Sequence, residues 1–179
     1  MSNLLTCLES WTNMIENGLP VDIIYTDFAK AFDRVPHHRL LLKMKSLGIT
    51  GKTHDWIKAF LSDRIQRVRV EKEFSSWEPV KSGIPQGSVL GPTLFVIFIN
   101  DMPNAIDSAC RLFADDAKIF RSIGSDNDVN TLQDDICKLT EWSAKWQLPF
   151  NVGKCKSLHI GKQNPRHVYE MNGRKLEQV

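Results

Sequence analysis

The chain has 179 residues, enough for one globular domain with its own core. It is 42% hydrophobic and 25% charged, which excludes a chain that is disordered throughout. Its 23 basic and 21 acidic residues leave a net charge of +2, so the overall charge by itself does not indicate nucleic-acid binding.

The first predicted elements are a helix and a strand. Apolar side chains recur at helical spacing over residues 3–16, which predicts an amphipathic helix that ends before Pro20. Residues 21–26 are rich in β-branched side chains and predict a buried strand. This strand delivers Asp27 at its C-terminal end. Taken alone, Asp27 would also suit the N-cap of a following helix.

Two helices and a hairpin are predicted next. Pro36 can open a helix at its first position, and Gly48 ends it. A second helix covers residues 53–61. Residues 66–81 then alternate between apolar and polar side chains, which predicts a hairpin with its turn at Ser75-Ser76.

The second half of the chain mixes the same kinds of element. A Gly- and Pro-rich loop at residues 82–91 precedes an apolar helix at residues 92–102. Residues 111–120 predict a strand, a two-residue turn and a strand, followed by a helix over about residues 128–146 and a strand at residues 157–160. Strands and helices do not alternate strictly, which favours the α+β class over a doubly wound sheet.

The predicted hairpin at residues 111–120 carries two adjacent carboxylates, Asp115 and Asp116, between apolar arms. Tight hairpin turns usually contain glycine, because both central residues need a positive φ. The two carboxylates also repel each other, a cost that a divalent cation such as Mg²⁺ removes. Asp27 would be the second source of carboxylate for two ions. The alternative is that Asp115 and Asp116 form an ordinary polar turn.

Four segments resemble catalytic motifs of the reverse transcriptases of LINE-type (non-LTR) retrotransposons, and they occur in the order of that family. They are residues 27–35 (DFAKAFDRV), 82–92 (SGIPQGSVLGP), 113–116 (FADD) and 146–156 (WQLPFNVGKCK). The matching part of the chain covers about residues 21–160. Four ordered motifs are far more specific than FADD alone.

The resemblance implies an α+β polymerase palm, in which helices back an antiparallel sheet and the acidic hairpin lies on the open face. Residues 1–179 would form a single partial reverse transcriptase domain, with a palm core at about 21–160 and a fingers-proximal insert at 45–85. Residues 165–179, with their Asn-Gly turn signal, would begin the primer-grip hairpin. The fingers would be partial and the thumb absent, so we expect weak primer extension from this chain alone.

The resemblance also implies the chemistry of the site. Asp27, Asp115 and Asp116 would be catalytic. Asp27 and Asp115, together with the backbone carbonyl of Phe28, would bind two Mg²⁺ ions, for which Mn²⁺ is a substitute. The partners would be an RNA template, a DNA primer and dNTPs, and each dNTP would be added to the primer 3′-hydroxyl by phosphoryl transfer.

Four further residues would contact the nucleotide. Phe32 matches the aromatic gate that excludes a ribose 2′-hydroxyl, Gln86 and Gly87 would lie beside the nascent base pair, and Lys154 would neutralise or protonate the departing pyrophosphate. Each has a structural alternative. Phe32 would pack in the core, Gln86 and Gly87 would form a plain loop capped by Ser88, and Lys154 would be a solvated surface residue.

Two basic clusters could contact phosphates without regard to base sequence. One comprises Arg64, Arg67, Arg69 and Lys72; the other comprises Lys154, Lys156, Lys162, Arg166, Arg174 and Lys175. Arg67 and Arg69 would share one face of a strand. Either cluster would alternatively be a solvated face.

The compartment and the rival function complete the prediction. No signal sequence is visible, the longest apolar run spans residues 94–99, and a membrane span needs about 20 apolar residues. The four cysteines have no zinc-binding spacing. We therefore expect an intracellular protein, in the nucleus or cytoplasm, with no membrane segment. The alternative to an active polymerase is a catalytically silent retroelement remnant that at most binds nucleic acid.

Overall fold

The computed structural model describes residues 3–179. The helices are α1 (Asn3–Glu16), α2 (Ala31–Arg34), α3 (His37–Ser46), α4 (Gly51–Leu61), α5 (Leu90–Ile99) and α6 (Asp126–Trp146), with a 3-10 turn at Met102–Ala105. The strands are β1 (Val21–Thr26), β2 (Ile65–Gln66), β3 (Arg69–Val70), β4 (Glu73–Phe74), β5 (Glu78–Pro79), β6 (Ala109–Phe113), β7 (Asp116–Ser122), β8 (Lys156–Ile160), β9 (Glu170–Met171), β10 (Arg174–Lys175) and β11 (Glu177–Gln178).

The chain forms two compact units. The first unit consists of the segment that ends at Ala29 and the segment that begins at Asn100, and the second unit is Lys30–Ile99. The predicted insert at residues 45–85 lies within Lys30–Ile99. None of the helices in the described part of the chain is long and apolar enough to cross a membrane.

The first unit is built on a five-stranded sheet in the order β11-β8-β1-β7-β6. Strands β8, β1, β7 and β6 are antiparallel, as predicted, while β11 runs parallel to β8 at the edge. Central strand β1 is buried along almost its whole length, which explains its near-continuous apolar sequence. The α+β prediction is therefore confirmed.

Helix α1 covers one face of this sheet. Its Cys7 and Trp11 pack with Val21, Ile23 and Phe120, and the Trp11 and Phe120 rings meet edge to face at 5.8 Å. Each fully buried side chain of this size contributes about 1.5–3 kcal/mol relative to an exposed one. The predicted helix at residues 3–16 and strand at residues 21–26 have the observed bounds.

A buried carboxylate ties the later part of the chain to β1. Asp22 is fully buried and accepts hydrogen bonds from His159 Nδ1 at 2.7 Å, Asn164 Nδ2 at 2.7 Å and Tyr169 Oη at 2.6 Å. These bonds satisfy a charge that would otherwise be costly to bury.

The hairpin of β9 and β10 follows this cluster. Its turn residues Asn172 and Gly173 both have positive φ, 53° and 71°. The Asn-Gly hairpin prediction is confirmed, because a type I′ turn needs these backbone angles at both positions.

Helix α6 is fixed at its N-terminal end by Asp128. Asp128 accepts hydrogen bonds from the Ser125 hydroxyl, the Arg121 guanidinium and the Gly124 backbone N–H, and these contacts, that of Ser125 first, hold its pKa below the usual value. The helix begins at Asp126, two residues before the predicted start, and ends as predicted at Trp146.

The second unit contains α3 packed on α4 and α5. Helix α3 begins at His37 rather than at Pro36, which is its N-cap and whose carbonyl accepts the first helical bond, from Leu40. Two other helices start two residues before their predicted positions, at Gly51 and Leu90.

The hairpin of the second unit differs from its prediction at the turn. The turn lies at Glu71-Lys72, with Glu71 at φ 54°, and not at Ser75-Ser76. Ser75 instead continues the ladder, because its N–H donates to the Val68 carbonyl and its hydroxyl accepts from the Val68 N–H.

Candidate active site

Two of the predicted catalytic carboxylates lie at the same end of the central sheet. The last residue pair of β1 and β7 is Thr26 with Ala117. Asp27 follows Thr26 directly, and Asp116 precedes Ala117 as the first residue of β7. The pairing of these neighbouring antiparallel strands therefore brings the two residues to the same end of the sheet, although they are far apart in the sequence.

The acidic hairpin is shifted by one residue from its prediction. Phe113 pairs with Asp116, so the two turn residues are Ala114 and Asp115. Ala114 has φ 52°, an uncommon angle for a residue other than glycine. Asp115 consequently lies at the tip of the hairpin, and Asp116 belongs to the strand.

Register also assigns the face on which these carboxylates lie. Asp116 alternates with Lys118 and Phe120, and Lys118 pairs across the sheet with Tyr25. Continuing the alternation of β1 beyond Tyr25 places Asp27 on this same face. By this register, Asp27 and Asp116 are expected on the same face of the sheet.

The backbone around Asp27 is held by the segment that carries the fourth motif. The Asn151 N–H donates to the Asp27 carbonyl at 2.7 Å, and the Ala29 N–H donates to the Pro149 carbonyl at 2.8 Å. Phe28 between them is buried and stacks on Phe150, with ring centroids 4.6 Å apart. These contacts fix the position at which the strand ends.

The Asp27 side chain is 26% exposed, but one of its carboxylate oxygens is incompletely bonded. Its Oδ2 atom is buried and has no hydrogen-bond partner among the described residues. Lys154 Nζ lies 3.5 Å from this atom, close enough for an ion pair but without hydrogen-bond geometry. The Lys154 side chain is 69% exposed, so the pair contributes little stability, roughly 0–1 kcal/mol.

Lys154 is therefore located beside Asp27 and is not simply a distant surface residue. It reaches this place because residues 151–155 form a turn, in which the Lys154 N–H donates to the Asn151 carbonyl at 2.8 Å. Burial raises the pKa of the neighbouring Cys155 thiol. Cys155 is accordingly a packed thiol and not an activated nucleophile.

The donor set suits a hard cation that also binds substrate. Within residues 3–179, no group of three or more His, Cys, Asp or Glu side chains is arranged to hold a metal ion by itself. Mg²⁺ commonly uses one or two carboxylates and completes its shell with water and phosphates. The buried, unbonded Oδ2 of Asp27 and the nearby hairpin carboxylates fit that pattern.

In the second unit, the other predicted nucleotide residues come together. Phe32, Gln86 and Gly87 line one cavity of about 470 Å³ with Pro85 and Val89. Phe32 is only partly buried, and its ring stacks on Phe95 with centroids 4.8 Å apart. One side of Phe32 thus packs in the unit while the residue also lines the open cavity.

The loop that carries Gln86 is locked onto α2 by Asp33. Gln86 Nε2 donates to the Asp33 carboxylate at 3.0 Å, and the Ser82 hydroxyl donates to the Asp33 carbonyl at 2.9 Å. Gly83 has φ 87°, and a Cβ built there would lie 2.6 Å from the Asp33 carbonyl oxygen. Only glycine allows this close approach.

Two further side chains hold the same loop from the other direction. The Gly83 carbonyl accepts hydrogen bonds from Arg64 Nη2 at 2.6 Å and from His37 Nε2 at 2.8 Å. Burial lowers the pKa of Arg64 from its usual value. The sequence prediction missed Asp33 and His37, although Asp33 lies within the first motif, and it assigned Arg64 to a basic cluster for phosphate contacts and not to this loop.

The loop ends in the predicted cap. Ser88 Oγ accepts a hydrogen bond from the Gly91 N–H at 3.0 Å in the first turn of α5. Both the capping role of Ser88 and the shared cavity of Gln86 and Gly87 are therefore present in one loop.

Comparison with known proteins supplies the family. Residues 15–174 match the family model for reverse transcriptase (RNA-dependent DNA polymerase). The RNA-directed DNA polymerase from mobile element jockey of Drosophila funebris is 37% identical over 143 residues, which are 75% of this chain and 16% of that protein. The probable RNA-directed DNA polymerase from transposon X-element of Drosophila melanogaster is 31% identical over 154 residues, 82% of this chain and 17% of that protein.

A more distant relative and a solved structure agree. The Pol polyprotein of the type-1 retrotransposable element R2 of Popillia japonica is 23% identical over 84% of this chain and 26% of that protein. Apo telomerase of Candida tropicalis has the same fold, with a TM-score of 0.66 and 15% identity over 99% of this chain and 38% of that chain. This chain thus spans about a sixth of the jockey and X-element proteins.

The telomerase similarity identifies the fold as a polymerase palm. Together with the family match over most of the chain, it leads to one assignment. The chain belongs to the reverse transcriptase (RNA-dependent DNA polymerase) family and resembles the enzymes of LINE-type (non-LTR) retrotransposons.

Proposed function

We propose that this chain is the catalytic palm of an RNA-directed DNA polymerase that adds dNTPs to a DNA primer on an RNA template. Asp27, Asp115 and Asp116 would be its catalytic residues. The observation that carries the proposal is the Asp27 carboxylate. Asp27 directly follows β1 beside the start of β7, and one of its carboxylate oxygens is buried without a hydrogen-bond partner among the described residues.

A buried carboxylate oxygen with no donor is unfavourable in a structure that has only to be stable. An unsatisfied buried polar group costs about 1–3 kcal/mol, and more when it is charged. Such a cost is typical of functional sites, where substrate or a cation completes the bonding. The exposed Lys154 ammonium at 3.5 Å compensates this charge only in part.

Asp27 and Asp115 would hold two Mg²⁺ ions, or Mn²⁺ as a substitute, with the Phe28 carbonyl as a further ligand and Asp116 assisting. When bound, such ions neutralise charge on the phosphates and on the attacking and leaving oxygens. Burial of Phe28 against Phe150 would keep its carbonyl and the Asp27 backbone in fixed positions.

The reaction forms a bond between the primer 3′-oxygen and the α-phosphorus of the dNTP and breaks the bond to pyrophosphate. Positioning and charge stabilisation supply most of the catalysis in such transfers. Lys154 would neutralise or protonate the departing pyrophosphate. Phe32 would exclude the ribose 2′-hydroxyl, while Gln86 and Gly87 would contact the nascent base pair from the cavity they share.

The test is primer extension with dNTPs and Mg²⁺ on an RNA template. Because the chain spans about a sixth of the jockey protein, we would assay it alone and also as a replacement for the matched segment of that polymerase. Asp27→Asn and Asp115→Asn should each reduce extension at least about a hundredfold, since both positioning and charge stabilisation are lost.

Asp126→Asn is the matched control, because Asp126 is an exposed carboxylate at the start of α6. It follows the end of β7 that is opposite to Asp116 and Asp27. This variant should retain full activity. Extension that survives Asp27→Asn and Asp115→Asn would refute the catalytic assignment. No extension in either format would refute the polymerase proposal in favour of a silent remnant.

A further inference from the structure

Helices α3 and α4 form a groove on the surface of the second unit. Six residues line its cavity of about 160 Å³, and they are His38, Leu41, Leu42 and Lys45 of α3 with His54 and Lys58 of α4. The four residues of α3 have the spacing i, i+3, i+4 and i+7, so they lie on one face of that helix. Seven residues of helix rise about 10 Å, so the groove follows α3 for about two turns.

The groove combines apolar side chains with basic ones. Leu41 is partly buried and Leu42 is 48% exposed, while the other four lining residues are lysines and histidines. Residues 37–61 contain five Lys and Arg residues but a single carboxylate, that of Asp55, whose Oδ1 lies 3.6 Å from Nδ1 of His54. The groove therefore favours an occupant that joins apolar side chains to carboxylates.

Helix α1 has the complementary surface. Its inner side chains pack on the sheet of the first unit, but Leu4, Leu5 and Leu8 are each about half exposed, at 53%, 55% and 45%. The only charged residues of α1 are Glu9 and Glu16, and both are exposed. Positions 5, 8, 9, 12 and 16 follow the spacing of one helical face, so leucines and carboxylates lie side by side. Helix α1 is thus apolar and acidic where the groove is apolar and basic.

We propose that α1 of one copy of the chain docks into the groove between α3 and α4 of a second copy. In this contact Leu5 and Leu8 of one copy cover Leu42 of the other, and Glu9 pairs with Lys58 at the rim. The contact joins the first unit of one copy to the second unit of the other. No residue of the proposed catalytic site takes part, so the inference does not rest on the proposed function.

A helix suits the groove better than a nucleic-acid strand does. None of the six lining residues is a Phe, Tyr or Trp on which a base would stack, whereas an amphipathic helix in an apolar groove is a common mode of recognition. A groove of two turns makes a small interface, so the association should be weak and reversible. The two surfaces differ, so further copies can add head to tail.

The experiment is sedimentation velocity of the full 179-residue chain at increasing concentrations. The unaltered chain should shift from monomer to dimer and then to longer species. Leu42→Ala should weaken the association about 3- to 12-fold, because about half of this side chain is already covered in a single copy and only the rest is gained on docking. Leu47→Ala is the matched control, since Leu47 is 55% exposed in the same unit but does not line the groove, and it should have no effect.

Charge reversal tests the ion pair at the rim. Lys58→Glu and Glu9→Lys should each weaken the association at least about threefold at low salt, and less at about 1 M salt, where charges are screened within about 3 Å. A chain with both substitutions should associate as the unaltered chain does, because the two charges are only exchanged. Lys52→Glu, an exposed lysine of α4 outside the groove, changes the net charge equally and should have no effect.

A mixture of two variants tests the head-to-tail arrangement. Leu5→Ala with Leu8→Ala disables α1 and leaves the groove intact, whereas Lys45→Glu with Lys58→Glu disables the groove and leaves α1 intact. Each variant alone should stay monomeric at concentrations where the unaltered chain associates. Their equimolar mixture should form a dimer that does not grow further, because only one intact contact remains. Circular dichroism checks that each variant keeps its helical content.

Four results would overturn the proposal. The chain stays monomeric at every concentration, or Leu42→Ala and Leu47→Ala weaken the association equally, or the mixture of variants forms no dimer. The fourth is association that Trp77→Ala abolishes, which would assign it to the exposed hairpin at residues 65–79. A chain that stays monomeric but binds a labelled synthetic helix of leucine and glutamate, and loses this binding with Leu42→Ala, would assign the groove to a different acidic protein.

Discussion

Removal of one hydroxyl group, by Tyr169→Phe, is expected to destabilise the first unit. The Tyr169 side chain is fully buried, and its hydroxyl donates to the Asp22 carboxylate at 2.6 Å. Phenylalanine fits the same space, so the substitution removes a hydrogen bond without creating a large cavity. His159 and Asn164 would still donate to the carboxylate.

The expected loss of stability follows from the charge of the acceptor. A hydrogen bond to a charged group contributes about 1.5–3 kcal/mol, against about 1 kcal/mol for a neutral pair. Asp22 is fully buried, so water cannot replace the lost donor. For a domain of this size each kcal/mol lowers Tm by about 2–4 °C, so Tm should fall by roughly 3–12 °C.

The same bond makes stability depend on pH in the alkaline range. Burial, and then the hydrogen bond to Asp22, raise the pKa of Tyr169 above its ordinary value. The folded chain therefore holds this proton more tightly than the unfolded chain does. Its contribution is complete below the ordinary tyrosine pKa of about 10 and is lost as the pH rises above it. Tyr169→Phe should remove this part of the pH dependence.

The assay is thermal and urea unfolding followed by tryptophan fluorescence, at neutral pH and at several values above pH 9. Tyr25→Phe is the matched control. Tyr25 is the other tyrosine of the chain, and its hydroxyl makes no hydrogen bond within residues 3–179. It should change stability by less than about 0.5 kcal/mol. Equal destabilisation by both substitutions would refute the reasoning about Asp22.

Three further substitutions test the two units. Gly83→Ala should lower Tm more than Gly48→Ala, because both glycines have positive φ but only the first would place a Cβ against backbone, 2.6 Å from the Asp33 carbonyl oxygen; equal shifts in thermal melts would contradict this. Lys154→Gln should slow primer extension about tenfold while leaving Tm within about 1 °C, since its ion pair is exposed. Phe32→Val should raise the rate of rNTP relative to dNTP incorporation, measured by competitive extension; an unchanged ratio would remove Phe32 from the sugar gate.

Strongly periodic segments were predictable from the sequence. The helical spacing of apolar residues in α1 and α6 and the β-branched run of β1 were each sufficient to predict an element. The spacing of apolar residues identifies the buried face directly from the local sequence. The four motifs likewise predicted candidate site residues, of which Asp27 and Asp116 lie at one end of strands β1 and β7, with Lys154 beside Asp27.

Turn positions were less predictable. The β6–β7 hairpin and the β3–β4 hairpin each have a turn residue other than glycine at positive φ, Ala114 in the first and Glu71 in the second. Local sequence favours Asp and Ser as turn residues, but the register of the flanking strands decides which residues form the turn. These two predicted turns were therefore misplaced, by one residue at the acidic pair and by four at Ser75-Ser76, whereas the Asn172-Gly173 turn was predicted correctly.

Contacts between distant residues could not be predicted. Asp22 lies in an otherwise apolar strand, and nothing near it in the sequence indicates the three side chains that satisfy its carboxylate. Nothing in the sequence links Arg64 or His37 to Gly83, and only the fold brings both to its carbonyl. Such partners depend on tertiary structure alone.

The Asp22 cluster also sets an order of events during synthesis. Its three donors are 137 to 147 residues further along the chain, and β7 and β8, which flank β1, also follow much later. A nascent chain that has β1 but not residues 156–169 must keep that carboxylate in water, since burying it alone costs several kcal/mol. The centre of the sheet is therefore expected to close late, after Tyr169 has left the ribosome, whereas α3 and α4 of the second unit can form beforehand through contacts within Lys30–Ile99.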